Sequence, residues 1–241
     1  MTALISTIST WAPLDSGRRH EERQRRLELL HAEVVKCQLC VKAGYIPSAA
    51  GSAGFRGYVG QQLMLVGQAP GHLSVARGFP FAGPGGRVLE TWLQRAGYPT
   101  GTLRAHIYLS ALTKCYPGKS ARGDGDRKPS PAELALCRPF LLRELELVRP
   151  RAVLLVGGMA NVAFLGSERL TDVVGRSYER NGVMLLPLPH PSGVSRWLNR
   201  PEHQERLGVA LEILAGWRRS WELEAASGAT SKDIMTRRSL T

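Results

Sequence analysis

Four cysteines are the residues best suited to chemistry in this chain. Cys37 and Cys40 form a C-x-x-C pair, which brings two thiolates to one metal with little loop entropy. Cys115 and Cys137 can complete a tetrathiolate site, and the spacing leaves zinc and an iron–sulfur cluster both open. Two disulfides are the alternative for an even number of cysteines, and a reducing compartment argues against them. The segment Met1 to Leu14 lacks the basic start and compact apolar stretch of a signal peptide. No run of about 18 apolar residues is present to span a bilayer, so the expected location is cytoplasmic.

A second group of residues sits in rigid, glycine- and proline-rich turns. Gly67-Gln68-Ala69-Pro70-Gly71 follows an apolar run, Gly78-Phe79-Pro80-Phe81-Ala82-Gly83 comes soon after, and Leu188-Pro189-His190-Pro191-Ser192 closes another apolar run late in the chain. A lone histidine at a strand end is more often structural than catalytic, but its convergence with two rigid turns favours a site. Gly118-Lys119-Ser120 is not a phosphate loop, because the glycine required five residues earlier is Thr113. The pairs Gly85-Gly86 and Gly157-Gly158 likewise fail the dinucleotide fingerprint.

The elements that must position these residues are legible from their periodicity. Gln62 to Val66, His106 to Leu112, Ala152 to Val156 and Val183 to Leu188 read as short buried strands. Helical patterns cover Arg18 to Lys36, Gly86 to Ala96, Pro131 to Val148, Met159 to Phe164 and Pro201 to Trp217. Strands alternating with helices predict a parallel sheet covered on both faces, with working residues beyond the carboxyl ends of the strands. That rule points to Gly67 to Gly71, Leu112 to Cys115 and Pro189 to Arg196.

With 241 residues the chain can build one sizeable core. The expected layout is a flexible terminus over 1–17, one domain over 18–224, and a disordered basic tail over 225–241. Lys and Arg number 32 against 20 Asp and Glu, a formal charge of +12, which favours a polyanionic partner. Tyr116 to Pro131 reads as a long polar loop whose Lys119, Arg122, Arg127 and Lys128 stand beside Asp124 and Asp126. It is either a solvated insertion or a phosphate-contacting loop.

The C-x-x-C, the glycine-rich loop, the strand with GQAPG, then GFPFAGPGG, YLSALTKC, the distant Cys137 and LPHPS come in one order and separation. In that order they resemble the uracil-DNA glycosylase superfamily, particularly its iron–sulfur branches, the family 4 and family 5 enzymes, from Cys37 to about Arg218. The resemblance implies an α/β fold, a three-layer α/β/α sandwich around a central four-stranded parallel sheet. It implies a [4Fe–4S] cluster on Cys37, Cys40, Cys115 and Cys137 with a structural role, structural zinc being the alternative. The implied activity is that of a monomeric, nucleoid-associated base excision repair enzyme, a glycosylase hydrolysing the N-glycosidic bond of uracil or another deaminated base in DNA.

Site residues follow from the same resemblance. Phe81 matches the phenylalanine that stacks on the flipped base, and His190 matches the group that stabilises the departing base. Gly67, Ala69, Pro70, Gly71, Ala111 and Ser192 complete the expected base pocket, with Gln68 and His190 as its catalytic residues. Val194, Ser195, Arg196 and Trp197 match the loop that enters DNA to fill the vacated space, and Lys119 and Arg122 are expected phosphate contacts. The chain departs from the pattern at three places. Gln68 stands where family 4 has a water-activating glutamate, Pro84 where family 5 has an aspartate, and Ala111 where related enzymes have a uracil-reading asparagine. Glutamine takes no proton, so these departures also imply slow excision, a changed substrate, or a protein that recognises damage without catalysis.

Overall fold

The computed structural model describes residues 17–49, 51–121, 125–166, 169–192 and 196–238, with nothing to be said of the side chains of Ser52 and of 225–238. In chain order the strands are β1 (Leu63–Gly67), β2 (Ile107–Ala111), β3 (Ala152–Val156), β4 (Tyr178–Arg180) and β5 (Val183–Leu188). The helices are α1 (Gly17–Lys36), α2 (Leu39–Lys42), α3 (His72–Arg77), α4 (Pro84–Arg95), α5 (Thr102–Ala105), α6 (Pro131–Val148), α7 (Gly158–Leu165), α8 (Leu170–Val173) and α9 (Pro201–Arg238). The sheet order is β2-β1-β3-β5-β4, parallel except for the β4–β5 pair.

The expected four-stranded parallel sheet is therefore corrected to a mixed sheet of five. The addition is an antiparallel edge strand, Tyr178↔Leu185 to Arg180↔Val183. Asn181, with φ 52°, and Gly182, with φ 76°, turn β4 back onto β5, a hairpin connection that needs two left-handed residues. Both residues of Glu179-Arg180 are exposed, which suits an edge that must not recruit further strands. The last helix also runs beyond Trp217, its backbone continuing to Arg238 through much of the segment expected to be a disordered tail.

Each central strand is buried on both faces, which explains its unbroken apolar composition. Met64, Val66, Tyr108, Val153, Leu155, Val183 and Leu185 point into one core with α1, α6 and α7. Leu63, Leu65, Ile107, Leu109, Leu154, Val156, Leu186 and Leu188 point into the other, with α4 and α9. The β1-to-β2 crossover packs α4 on the second face and the β2-to-β3 crossover packs α6 on the first. Neighbouring connections that diverge to opposite faces leave a crevice beyond the carboxyl ends of β1 and β3.

α6 begins with a capping box, Ser130 accepting from the Glu133 N–H at 3.2 Å and Glu133 accepting from the Ser130 N–H at 2.7 Å. Further along, Glu144 on α6 meets Lys114, two side chains that are 0% and 1% exposed. Lys114 Nζ donates to Glu144 Oε2 at 2.7 Å, Ser110 Oγ at 2.6 Å and the Ala111 carbonyl at 2.8 Å. A buried pair is costly to break, because the survivor is left charged without water. Lys114→Met should destabilise the protein by about 3–5 kcal/mol. Lys114→Met/Glu144→Leu should be less damaging than that single substitution, as read from urea unfolding midpoints.

Candidate active site and cysteine centre

Three glycines lie at the end of β1 and in the turns beyond β1 and β3, and in each case a side chain from elsewhere packs closely against the position that a β-carbon would take. At Gly67, the last residue of β1, a β-carbon would lie 2.9 Å from Phe81 Cζ. At Gly157, just after β3, it would lie 3.3 Å from His190 Cδ2. At Gly71 it would lie 3.0 Å from Asp126 Oδ2. The turns are tied together through their backbones: Leu112 N–H donates to the Gly67 carbonyl at 2.9 Å, Thr113 N–H to Gln68 at 3.3 Å, and Gly157 N–H to Leu188 at 2.9 Å. Phe81 and His190 thus stand over neighbouring strand ends, and Gln68 and Ala69, in the turn after β1, are half-buried.

Phe81 holds φ at 52°, a left-handed conformation costly for a bulky side chain. Its strain is over-determined by its surroundings. Gly86 at the start of α4 presses on the Phe81 carbonyl so closely that no β-carbon fits there, and Arg77 clamps the following Ala82 carbonyl at 2.7 Å. Ala111 ends β2 in register with Gly67 and is buried. Pro84 opens α4 as its first residue, the position at which its missing N–H costs nothing.

His190 has its tautomer fixed by geometry. Ser192 N–H donates to His190 Nδ1 at 3.2 Å, and Ser192 Oγ lies 2.8 Å from the same nitrogen. A backbone N–H can only donate, so Nδ1 is the acceptor and Nε2 carries the proton. Although one edge of the ring is exposed, desolvation by the surrounding protein lowers its pKa. The ring is therefore neutral at neutral pH, with an Nε2–H donor.

The loop after His190 departs from expectation at Trp197. Its ring stacks on His203 at 4.1 Å between centroids and 4° between planes, Nε1 donates to Thr171 Oγ1 at 3.3 Å, and its carbonyl faces His203 Nδ1 at 2.7 Å. Trp197 is a packed anchor of the Arg196–Asn199 turn rather than a free wedge, because α9 supplies it with a partner. Arg196 remains exposed. Val194, Ser195 and Arg122 lie outside the described residues. Lys119 is exposed and pairs with Asp126 across an antiparallel bridge.

All four cysteines line one cavity, with Val34, Leu39, Leu136 and Phe140 as its apolar walls. Cys37 ends the chain leaving α1, Cys40 lies in α2, Cys115 follows β2 and Cys137 sits on α6. Burial first, and then the neighbouring Cys137, Cys115 and Cys37, push the Cys40 thiol up to about 12. Burial likewise raises Cys137 to about 11, opposed by the Lys114 N–H that it accepts at 3.4 Å and by the Lys114 charge. Four thiols facing one cavity are a donor set that suits a metal centre, since a bound cation lowers thiol pKa values and takes up the thiolate form. Among the described residues, no three His, Cys, Asp or Glu side chains converge closely enough to hold a single ion.

A model of the uracil DNA glycosylase superfamily matches residues 56–212, and the chain belongs to that family. It is 28% identical over 186 residues to the type-4 uracil-DNA glycosylase of Archaeoglobus fulgidus, covering 72% of this chain and 83% of that one. Similarity to the type-4 uracil-DNA glycosylase of Pyrobaculum aerophilum is 28% over 179 residues, 70% and 85% of the two chains. That of Thermotoga maritima matches at 27% over 189 residues, 77% and 90%.

Two side chains of the 116–131 loop have partners that the sequence did not disclose: Asp126, whose contact with Gly71 is non-local, and Arg127. Arg127 makes two bonds to Glu133, at 2.7 and 2.8 Å, and one to the Tyr45 carbonyl at 2.9 Å. It joins the loop after Cys115 to α6 and to the C-x-x-C loop. The Arg127 bonds, opposed by desolvation and helped by Ser130, hold Glu133 below its ordinary value of 4.5. A carboxylate depressed in the folded state adds stability above its unfolded pKa, and that stability is lost as pH falls through the folded value. The melting-temperature gap between the protein and Arg127→Met should therefore be widest at neutral pH. It should close progressively below about pH 4.5, as read from thermal melts across pH.

Proposed function

We propose that this protein is a DNA glycosylase of base excision repair that hydrolyses the N-glycosidic bond of uracil, or another deaminated base, in DNA. The observation that carries the reading is the paired geometry of Phe81 and His190 over Gly67 and Gly157, within a chain similar to three type-4 uracil-DNA glycosylases. A base buried in a duplex must be extruded before its glycosidic bond is accessible. Phe81 offers it a ring to stack on, and the strained backbone keeps that ring in place. As the bond breaks, negative charge grows on the departing base. The Nε2–H of neutral His190 donates to that charge, and a neutral donor does not compete by protonating the base beforehand. Gln68 can position water through its amide.

The excess of basic side chains supports phosphate contacts, with Lys119 and Arg196 exposed on the loops that flank the crevice. Among the described residues, no helix is long and apolar enough to cross a membrane. Oligonucleotides containing uracil, hypoxanthine or xanthine, incubated with the protein and then treated with alkali, should be cleaved at the modified base. His190→Ala should lower the single-turnover rate by about 10²–10³, with little change in DNA affinity. Damage-selective binding without any cleavage would replace the glycosylase with a recognition protein.

Cys37, Cys40, Cys115 and Cys137 are the residues that would hold a [4Fe–4S] cluster. Thiols spread around a cavity suit a cluster, whose ligands bond separate irons, better than one zinc ion with four sulfurs about 2.3 Å away. A bound cluster would balance the thiolate charge and cross-link α1, the end of β2 and α6. Protein purified without oxygen should be brown and carry about four iron and four acid-labile sulfide per chain. One zinc and no sulfide would assign a structural zinc site instead.

A further inference from the structure

The segment between Cys115 and α6 folds into a hairpin whose base is firmly held. Ser120 N–H donates to the Gly125 carbonyl at 2.8 Å and Arg127 N–H to Gly118 at 2.9 Å, while Lys119 and Asp126 pair across the bridge. Arg127 then pins the hairpin to Glu133 and Tyr45. Within it, Tyr116 Oη donates to Asp126 Oδ1 at 2.8 Å. The other oxygen, Oδ2, is the one that closely approaches Gly71, 3.0 Å from where a β-carbon would lie. Gly71 closes the same turn that carries Gln68. A turn whose own side chain cannot accept a proton thus has a carboxylate brought to it from a distant part of the chain.

Charge makes this placement informative. Lys119, Arg127 and Lys128 in the same hairpin favour DNA, and a carboxylate at the mouth of the crevice opposes it. Asp126 is exposed, yet the Tyr116 hydroxyl orients its carboxylate toward that turn. We propose that Asp126 is the proton acceptor of the hydrolysis, doing what a carboxylate at position 68 would otherwise do. The proposal rests on the glycosylase reading above. In the step, the water oxygen bonds to C1′ of the sugar while the C1′–N bond breaks and its electron pair leaves with the base. The water proton passes to Asp126 Oδ2 and from there to solvent, while His190 Nε2–H stabilises the base anion. Tyr116 is a positioning residue, holding Oδ1 so that Oδ2 faces the turn.

The test is single-turnover excision of uracil by the full chain, with DNA affinity and melting temperature measured on the same samples. Asp126→Asn should lower the rate by about a hundredfold or more, leave the melting temperature unchanged, and leave DNA affinity equal or tighter. Gln68→Glu on the Asp126→Asn background should restore most of the rate, because it returns a carboxylate to the same turn. Tyr116→Phe should give a smaller loss of rate without weakening binding. An Asp126→Asn protein at the wild-type rate overturns the assignment. So does a loss of rate accompanied by a lower melting temperature and weaker binding that Gln68→Glu fails to rescue. If the unsubstituted protein releases no uracil, the glycosylase reading falls and this proposal with it; activity that survives Asp126→Asn removes only the role of Asp126.

Discussion

The carboxyl end of the sheet depends on an ammonium group buried where no water reaches it. Lys114 has three N–H donors, and Glu144, Ser110 and the Ala111 carbonyl take one each, so the charge is fully satisfied and its geometry fully determined. Desolvating two ions is expensive, and such a pair is weak as a source of stability. What it supplies here is position. Lys114 is bonded back to the end of β2 through Ser110 and Ala111, and across to α6 through Glu144. Its neighbour in sequence is Cys115, and its own N–H meets Cys137. The point at which the chain leaves the sheet toward the thiol centre is thereby locked to the helix that carries the fourth thiol.

The crevice follows from topology and the site from glycine. Because α4, which follows β1, and α7, which follows β3, cover opposite faces, a crevice opens beyond the ends of these two strands. Any side chain placed at those ends would fill the opening, and Gly67, Gly71 and Gly157 leave it to Phe81, Asp126 and His190. The three side chains come from segments far apart in sequence, so their meeting depends on the register of the strands beneath them. Gly67 lies beside Ala111 and Val156 beside Leu188 in the ladder, which places the turns after β1, β3 and β5 along one edge.

Much of this was legible from the chain because buried parallel strands announce themselves. Four Val-, Ile- and Leu-rich runs found β1, β2, β3 and β5 within a residue at either end, and the strand-end rule placed Gly67 to Gly71 and His190 together. β4 was not legible, since Tyr178–Arg180 is short, polar and half-exposed and owes its existence to pairing with β5. Lys114 carried no signal because a lysine beside a cysteine reads as solvated until its three acceptors are seen. Trp197 read only as part of the loop that enters DNA, because the sequence does not disclose its contacts with His203 and Thr171. Asp126 sat in a stretch whose composition suggested a solvated insertion or a phosphate-contacting loop, neither of which points to a contact with Gly71.

The placement of Asp126 gives the thiol centre a physical part in a site it does not touch. Cys115 precedes the hairpin and Cys137 follows it, so both its ends lead to the same cavity. Arg127 adds a third connection, to the Tyr45 carbonyl just beyond Cys40. A loop flanked by two cysteines of one cavity, and held by a capped helix and the Arg127 guanidinium, loses little further entropy when DNA arrives. On the proposed reading, an acid carried by that hairpin is held nearly as firmly as one built on the strand turn. On that reading, Gln68 leaves the proton acceptor to a side chain that reaches the same turn from another segment. The excision step then becomes dependent on the integrity of the cysteine centre, although no thiol takes part in the reaction.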